Sequence, residues 1–114
     1  MRYKHVFAVC AYKDSPYLEQ CIRSLKAQTV PSPIIICTST PSSYIDRLAW
    51  KYGLQVYVRQ GESGIKDDWN FAYSMAEGEL VTIAHQDDMY HRDYSAGLLA
   101  AHKRYPDMTV FTTD

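Results

Sequence analysis

Short apolar runs alternate along this chain with amphipathic segments of helical period, and that alternation leaves few architectures open. Residues 6–11, 34–37, 54–58 and 80–84 are brief, apolar and rich in β-favouring side chains, so each predicts a buried strand. A fifth strand is expected at 109–113. After the first run, Ser15-Pro16 offers an N-cap followed by proline at the first helical position. Leu18, Cys21, Ile22 and Leu25 then fall on one helical face. A second helix starts near Pro41, turns Tyr44, Ile45, Leu48, Ala49 and Tyr52 inward, and stops at Gly53. Residues 60–64 form a flexible turn into a third helix, with Trp69, Ala72, Tyr73 and Ala76 on one face and Gly78 as its stop. A last helix spans 93–105 and ends at Pro106. Strands alternating with helices mean an α/β fold, a mostly parallel sheet with helices on both faces. Right-handed crossovers carry every strand exit to one edge. Residues 11–14, 38–40, 60–64 and 85–88 should meet there.

The 114 residues suit one domain, 1–114, with no internal repeat or linker. Twelve basic and thirteen acidic side chains nearly cancel and no basic run occurs, so a nucleic-acid partner held through phosphate charge is unsupported. No apolar stretch approaches the roughly 18 residues of a membrane span, and the start lacks an apolar signal core. Cys10, Cys21 and Cys37 are odd in number, lack metal-ligand spacing and lie in apolar segments. They read as buried reduced thiols, which points to the cytoplasm.

The strand at 80–84 runs through His85-Gln86 into two adjacent carboxylates, Asp87 and Asp88, at the edge where open α/β sheets place ligands. Two like charges side by side need a cation or hydrogen bonds if buried. Oxygen ligands suit Mg²⁺ or Mn²⁺, which commonly bridge carboxylates to substrate phosphates. The other reading is a solvated loop that holds two acids. Tyr12, beside the first strand exit, is either a stacking face for a planar base or an exposed loop tyrosine. Gly64 precedes a helix whose free N–H groups could take a phosphate, with Lys66 adding charge, although one glycine and one lysine form a weak motif. His85 reads as a polar rim residue and Trp69 as core.

The order of these pieces resembles family 2 glycosyltransferases. Ala8-Val9-Cys10-Ala11-Tyr12-Lys13-Asp14, then Leu18 and Ser24-Leu25-Lys26-Ala27-Gln28-Thr29, is similar to their opening strand and the helix bearing Ser-Leu-x-x-Gln. Residues 64–70, Ala76-Glu77-Gly78-Glu79 and His85-Gln86-Asp87-Asp88 are similar to their second block, in which a strand ends in an Asp-x-Asp metal motif. The resemblance covers essentially the whole chain. It implies a Rossmann-like GT-A three-layer sandwich, a nucleotide-diphosphate sugar donor and a Mg²⁺ or Mn²⁺ ion. Asp87 and Asp88 would serve the metal. Ala11, Tyr12, Asp14, Thr38, Lys66, Asn70, His85 and Gln86 would face the nucleotide, with Tyr12 stacking on the base.

The sequence departs from the family at three points. Thr38 and Ser39 stand where an acid often bonds the base, and Trp69 replaces the usual Arg before Asn70. The fold is expected to be cut short after the fifth strand, with the general base beyond Asp114 and the acceptor, a saccharide or a lipid-linked group, bound by a further half. On that expectation the chain alone is the donor-binding half, is inactive in transfer, and exposes apolar surface that favours a homodimer. Such a transferase would serve polysaccharide or glycoconjugate synthesis in the cytoplasm or at the inner face of the membrane. The alternative is a non-catalytic nucleotide-binding or assembly module. A phospho-receiver domain has similar length and alternation, but the acids and lysine it needs at its strand exits are missing here.

Overall fold

A computed structural model describes residues 3–104 of the chain. Strands and helices alternate in the order β1 (Tyr3–Ala11), α1 (Leu18–Lys26), β2 (Ile34–Thr38), α2 (Ser43–Tyr52), β3 (Gln55–Val58), α3 (Ile65–Met75), β4 (Gly78–His85) and α4 (Tyr94–Arg104). The strands pair in parallel in the order β3-β2-β1-β4. The expected strand at 109–113, the stop at Pro106 and Asp114 lie outside the described residues.

The sheet is buried on both faces, which is why its strands read as continuous apolar runs. Phe7, Val9 and Ala11 of β1 pack with Leu18, Cys21, Ile22 and Leu25 of α1 and Ile45, Leu48 and Ala49 of α2. Ala8 and Cys37 face the other way, where Ala72, Phe71 and Met75 of α3 cover them. This is the three-layer α/β arrangement that the alternation requires. Among the described residues no helix is long and apolar enough to cross a membrane.

Local chemistry fixes most element ends. The Ser42 hydroxyl accepts from the Ile45 N–H at 3.2 Å and caps α2, and Gly53 closes it at φ 68°, a left-handed conformation that glycine adopts without a Cβ penalty. The start of α1 differs from expectation. Ser15 lies ahead of the helix in a turn, its Oγ accepting from the Tyr17 N–H at 3.2 Å, and the cap residue is Tyr17.

The third helix is corrected more deeply. Trp69 and Tyr73 are 42% and 65% exposed, and the inward residues are Phe71, Ala72, Met75 and Ala76. Apolar side chains run most of the way around α3, so periodicity alone leaves two faces open and packing against β1 and β2 chooses one. Nor does Gly78 stop the helix. The helix ends at Met75, and Gly78 opens β4, paired with Tyr3. A Cβ there would stand 2.7 Å from the Leu80 carbonyl oxygen and 3.0 Å from Val6 Cγ2, so close approach of the backbone demands the glycine.

Candidate functional site

Because the strands are parallel, their carboxyl ends share one edge, and a cavity of about 440 Å³ opens there. Its first wall is the segment leaving β1. Its residues are tied to two neighbours, the turn after β4 and the connection between β2 and α2. The Tyr12 backbone is held on both sides by the Gln86 amide, whose Oε1 accepts from the Tyr12 N–H at 2.9 Å and whose Nε2 donates to the Tyr12 carbonyl at 3.0 Å. Lys13 takes a left-handed φ of 55°, and its N–H donates to Thr40 Oγ1 at 2.6 Å. Asp14 accepts from the Ser42 hydroxyl at 2.7 Å, so the residue that caps α2 also anchors this segment. Ser15 Oγ donates to Asp87 Oδ1 at 3.0 Å. The Tyr12 ring is 46% exposed, with Lys13 Nζ over it at 5.2 Å from its centroid.

The second wall is the turn that follows β4. The Asp88 N–H donates to the His85 carbonyl at 3.0 Å, closing residues 85–88 into a β-turn. Asp87 lines the cavity; Asp88 lies outside its lining. The chain beyond the turn is fastened to α1 and to Gln28 just after it. Ser24 Oγ accepts from the Tyr90 N–H at 3.0 Å. Gln28 donates to the carbonyls of Ser24 at 3.1 Å and His91 at 2.7 Å, and accepts from the Ser95 N–H at 2.8 Å. The Ser and Gln of the Ser24–Gln28 pattern are thus the clamp that holds the acidic turn in place.

The third wall joins the exits of β2 and β3 to α3. The Arg59 N–H donates to the Thr38 carbonyl at 2.9 Å, and its Nε donates to Asp68 Oδ1 at 2.9 Å. Ser39 Oγ reaches Asp68 Oδ2 at 3.2 Å and Ser63 Oγ at 2.8 Å. The Arg59 guanidinium also donates to the carbonyl of Glu62, which pins the 60–64 turn. Cys10 and Cys37 pair in register on the cavity floor, with His85 in register on the far side of Cys10. Burial pushes the Cys10 thiol up to about 11 and the Cys37 thiol up to about 12, so both stay protonated and act as small apolar groups. The Trp69 ring stands 5.1 Å from that of His85, centroid to centroid.

Of the residues singled out in the sequence, Ala11, Tyr12, Thr38, His85, Gln86 and Asp87 line the cavity. Asp14, Lys66, Asn70 and Asp88 do not; Lys66 and Asn70 are exposed on α3. Ser63 and Gly64, of the 60–64 turn expected at this edge, line the cavity too, whereas Arg59 and Asp68 escaped the sequence reading, as did Trp69, which was read as core. Arg59 follows directly on β3, so the rule that ligands gather at strand exits could have found it. Among the described residues no group of three or more His, Cys, Asp and Glu is placed to hold a metal ion. Asp87 offers a single oxygen-donor carboxylate at the rim, which suits a cation completed by phosphates and water and not a closed protein cage.

Comparison with known proteins places this geometry. The family model described as Glycosyl transferase family 2 matches residues 6–114. No curated protein matches the sequence. TarS of S. aureus has a similar fold, with a TM-score of 0.77 at 22% identity over 89% of this chain and 20% of that one. Its 1–349 form gives 0.77 at 22%, over 90% and 33%. The mannosyltransferase PcManGT from Pyrobaculum calidifontis, solved with GDP-Man and Mn²⁺, gives 0.70 at 22%, over 96% and 34%. The shared architecture is the GT-A fold. The chain spans between a fifth and about a third of the length of these structures.

Proposed function

We propose that this chain, which belongs to glycosyl transferase family 2, seats the nucleotide-diphosphate sugar donor of a glycosyltransferase in the cavity at the carboxyl edge of its sheet. The acceptor would be a saccharide or a lipid-linked group. Tyr12 stacks on the base and Asp87 faces the diphosphate, while Gln86 and Ser15 join the two. The mannosyltransferase with a similar fold holds GDP-Man and Mn²⁺, which supports the same pairing of donor and cation here.

The residues fit a divalent cation of the Mg²⁺ or Mn²⁺ type. Asp87 would be its carboxylate ligand, and Asp88, one residue on in the same turn, would orient the turn or bind water on the ion. A cation there would offset the negative charge that develops on the departing diphosphate. The protein's own share is to fix position. Ser15 holds one Asp87 oxygen at 3.0 Å and leaves the other carboxylate lone pairs available. The clamp from Ser24 and Gln28 keeps the turn from swinging away.

The observation that carries this reading is the convergence of Tyr12 and Asp87, from the exits of β1 and β4, on one cavity. Titration calorimetry with UDP and GDP, each with and without Mn²⁺, tests it. Binding that strengthens with Mn²⁺ is expected. Failure of both nucleotides to bind in the presence of the cation overturns the reading.

A further inference from the structure

Among the described residues two acidic side chains line the cavity, Asp68 and Asp87, and they belong to opposite sides of the sheet order. Asp87 follows β4, whereas Asp68 meets the exits of β2 and β3 through Ser39 and Arg59. The strand order puts β1 between β2 and β4, so at about 4.8 Å per strand the two exits lie about 10 Å apart. That separation is comparable with the span of a nucleoside diphosphate from the edge of its base to its β-phosphate. With the diphosphate at Asp87, the base edge falls on the Asp68 side.

Asp68 is built as a fixed acceptor. One oxygen takes the Arg59 Nε–H at 2.9 Å and the other lies 3.2 Å from the Ser39 hydroxyl, so the carboxylate cannot rotate freely. Its side chain is 22% exposed and that of Arg59 is 18%, which leaves it reachable but partly shielded from water. A carboxylate has about four lone-pair sites, so about two remain. Thr38 and Ser39, at the end of β2, carry no charge, and among the described residues no other acid lines this side of the cavity.

We infer that Asp68, held by Arg59 and Ser39, reads the base of the donor nucleotide and selects uracil or guanine over cytosine and adenine. This rests on the donor-site reading above. Uracil and guanine carry a ring N–H next to a carbonyl, the most acidic N–H of the bases, and a carboxylate binds such a donor through a charge-assisted hydrogen bond. Cytosine and adenine present an unprotonated ring nitrogen at that place, whose lone pair the carboxylate repels. The Ser63 hydroxyl, 2.8 Å from Ser39 Oγ, can turn its proton to the flanking carbonyl of the base, while that of Ser39 stays on Asp68.

Calorimetric titration of the protein with UDP, GDP, CDP and ADP in Mn²⁺, repeated on Asp68→Asn, tests the assignment. The parent should bind UDP or GDP at least about tenfold tighter than CDP and ADP. In Asp68→Asn, which keeps the size of the side chain and can donate to a ring nitrogen, that preference should fall to about threefold or less while the Mn²⁺ dependence persists. A second arm needs no variant: the preferred ligand is replaced by its N3-methyl (uracil) or N1-methyl (guanine) form, and affinity should drop by about tenfold or more. Undiminished preference in Asp68→Asn, equal binding of all four nucleotides by the parent, or undiminished binding of the methylated ligand overturns the role of Asp68. Absence of any nucleotide binding overturns the donor site itself, a different result.

Discussion

The side-chain amide of Gln86 pairs with both backbone polar groups of Tyr12, at 2.9 Å to its N–H and 3.0 Å to its carbonyl oxygen. β1 has ended at Ala11, so Tyr12 has no ladder partner of its own. Gln86 supplies what a neighbouring strand would, and it does so from the second position of the acidic turn that faces the proposed metal. Tyr12 and the 85–88 turn are therefore one mechanical unit.

Replacing Gln86 with Ala should free the Tyr12 backbone. Each lost hydrogen bond is worth about 0.5–1.5 kcal/mol, and nucleotide affinity should fall although the tyrosine ring is untouched. Calorimetry reads the affinity, and faster hydrogen exchange at the Tyr12 amide shows that the cause is positional.

Tyr12→Ala should weaken nucleotide binding by about 1–3 kcal/mol if the ring stacks on the base, whereas Tyr12→Phe should be nearly neutral. Binding by the alanine variant equal to that of the parent would leave Tyr12 a loop residue only.

Asp87→Asn should reduce Mn²⁺-dependent nucleotide binding more than Asp88→Asn. Asp87 lines the cavity and Asp88 does not, so the first change removes a direct ligand and the second acts through orientation. Titration of the two variants side by side, with equal losses or none, would remove the metal role from Asp87.

Gly78→Ala should destabilise the fold by about 1–3 kcal/mol, because the new methyl meets the Leu80 carbonyl at 2.7 Å. Gly97→Ala in α4, where nothing lies within 4 Å of the added carbon, should instead stabilise by about 0.4–1 kcal/mol. Urea unfolding of both variants measures the opposite signs.

His5 makes stability fall in acid. Burial lowers its pKa from 6.5 to about 4, and its two ring nitrogens bond Ser32 Oγ at 2.8 Å and Thr82 Oγ1 at 2.7 Å. The unfolded chain therefore takes up this proton first as pH falls. The stability that the neutral ring contributes is complete above pH 6.5 and is lost between about 6.5 and 4, at up to about 1.4 kcal/mol per pH unit. An NMR titration of the His5 ring should show no protonation above about pH 5; a midpoint near 6.5 would remove this source of acid sensitivity.

The strands within the described residues were legible because both sheet faces are buried, which leaves apolar runs at 6–11, 34–37, 54–58 and 80–84. α1 and α2 were legible through one narrow apolar stripe each. α3 was not, because Ile65, Trp69, Phe71, Ala72, Tyr73 and Met75 encircle it and only contact with the sheet selects Ala72 and its neighbours. Gly78 misled because glycine marks helix ends and crowded strand positions alike.

At the site, topology alone gathered Ala11, Tyr12, Thr38 and the 85–87 stretch. The Arg59–Asp68 pair was hidden because it joins a strand exit to a helix across a turn, a contact with no periodic trace in sequence. Gln86 was legible as a residue of the site, but its tie to the Tyr12 backbone spans 74 positions and depends on β1 and β4 being neighbours.

The acidic turn is anchored at both ends, by β4 at His85 and by Ser24 of α1 and Gln28 just after that helix at Tyr90, His91 and Ser95. Between these anchors residues 86–89 form a short bridge of fixed span. Met89 is 71% exposed, so side chains there can vary in evolution at little cost. A one-residue insertion or deletion cannot be absorbed in the same way, since neither the sheet register nor the Gln28 bonds can slide to accommodate it. The lineage of this chain should therefore show free drift of identity at position 89 and strict conservation of length across the bridge.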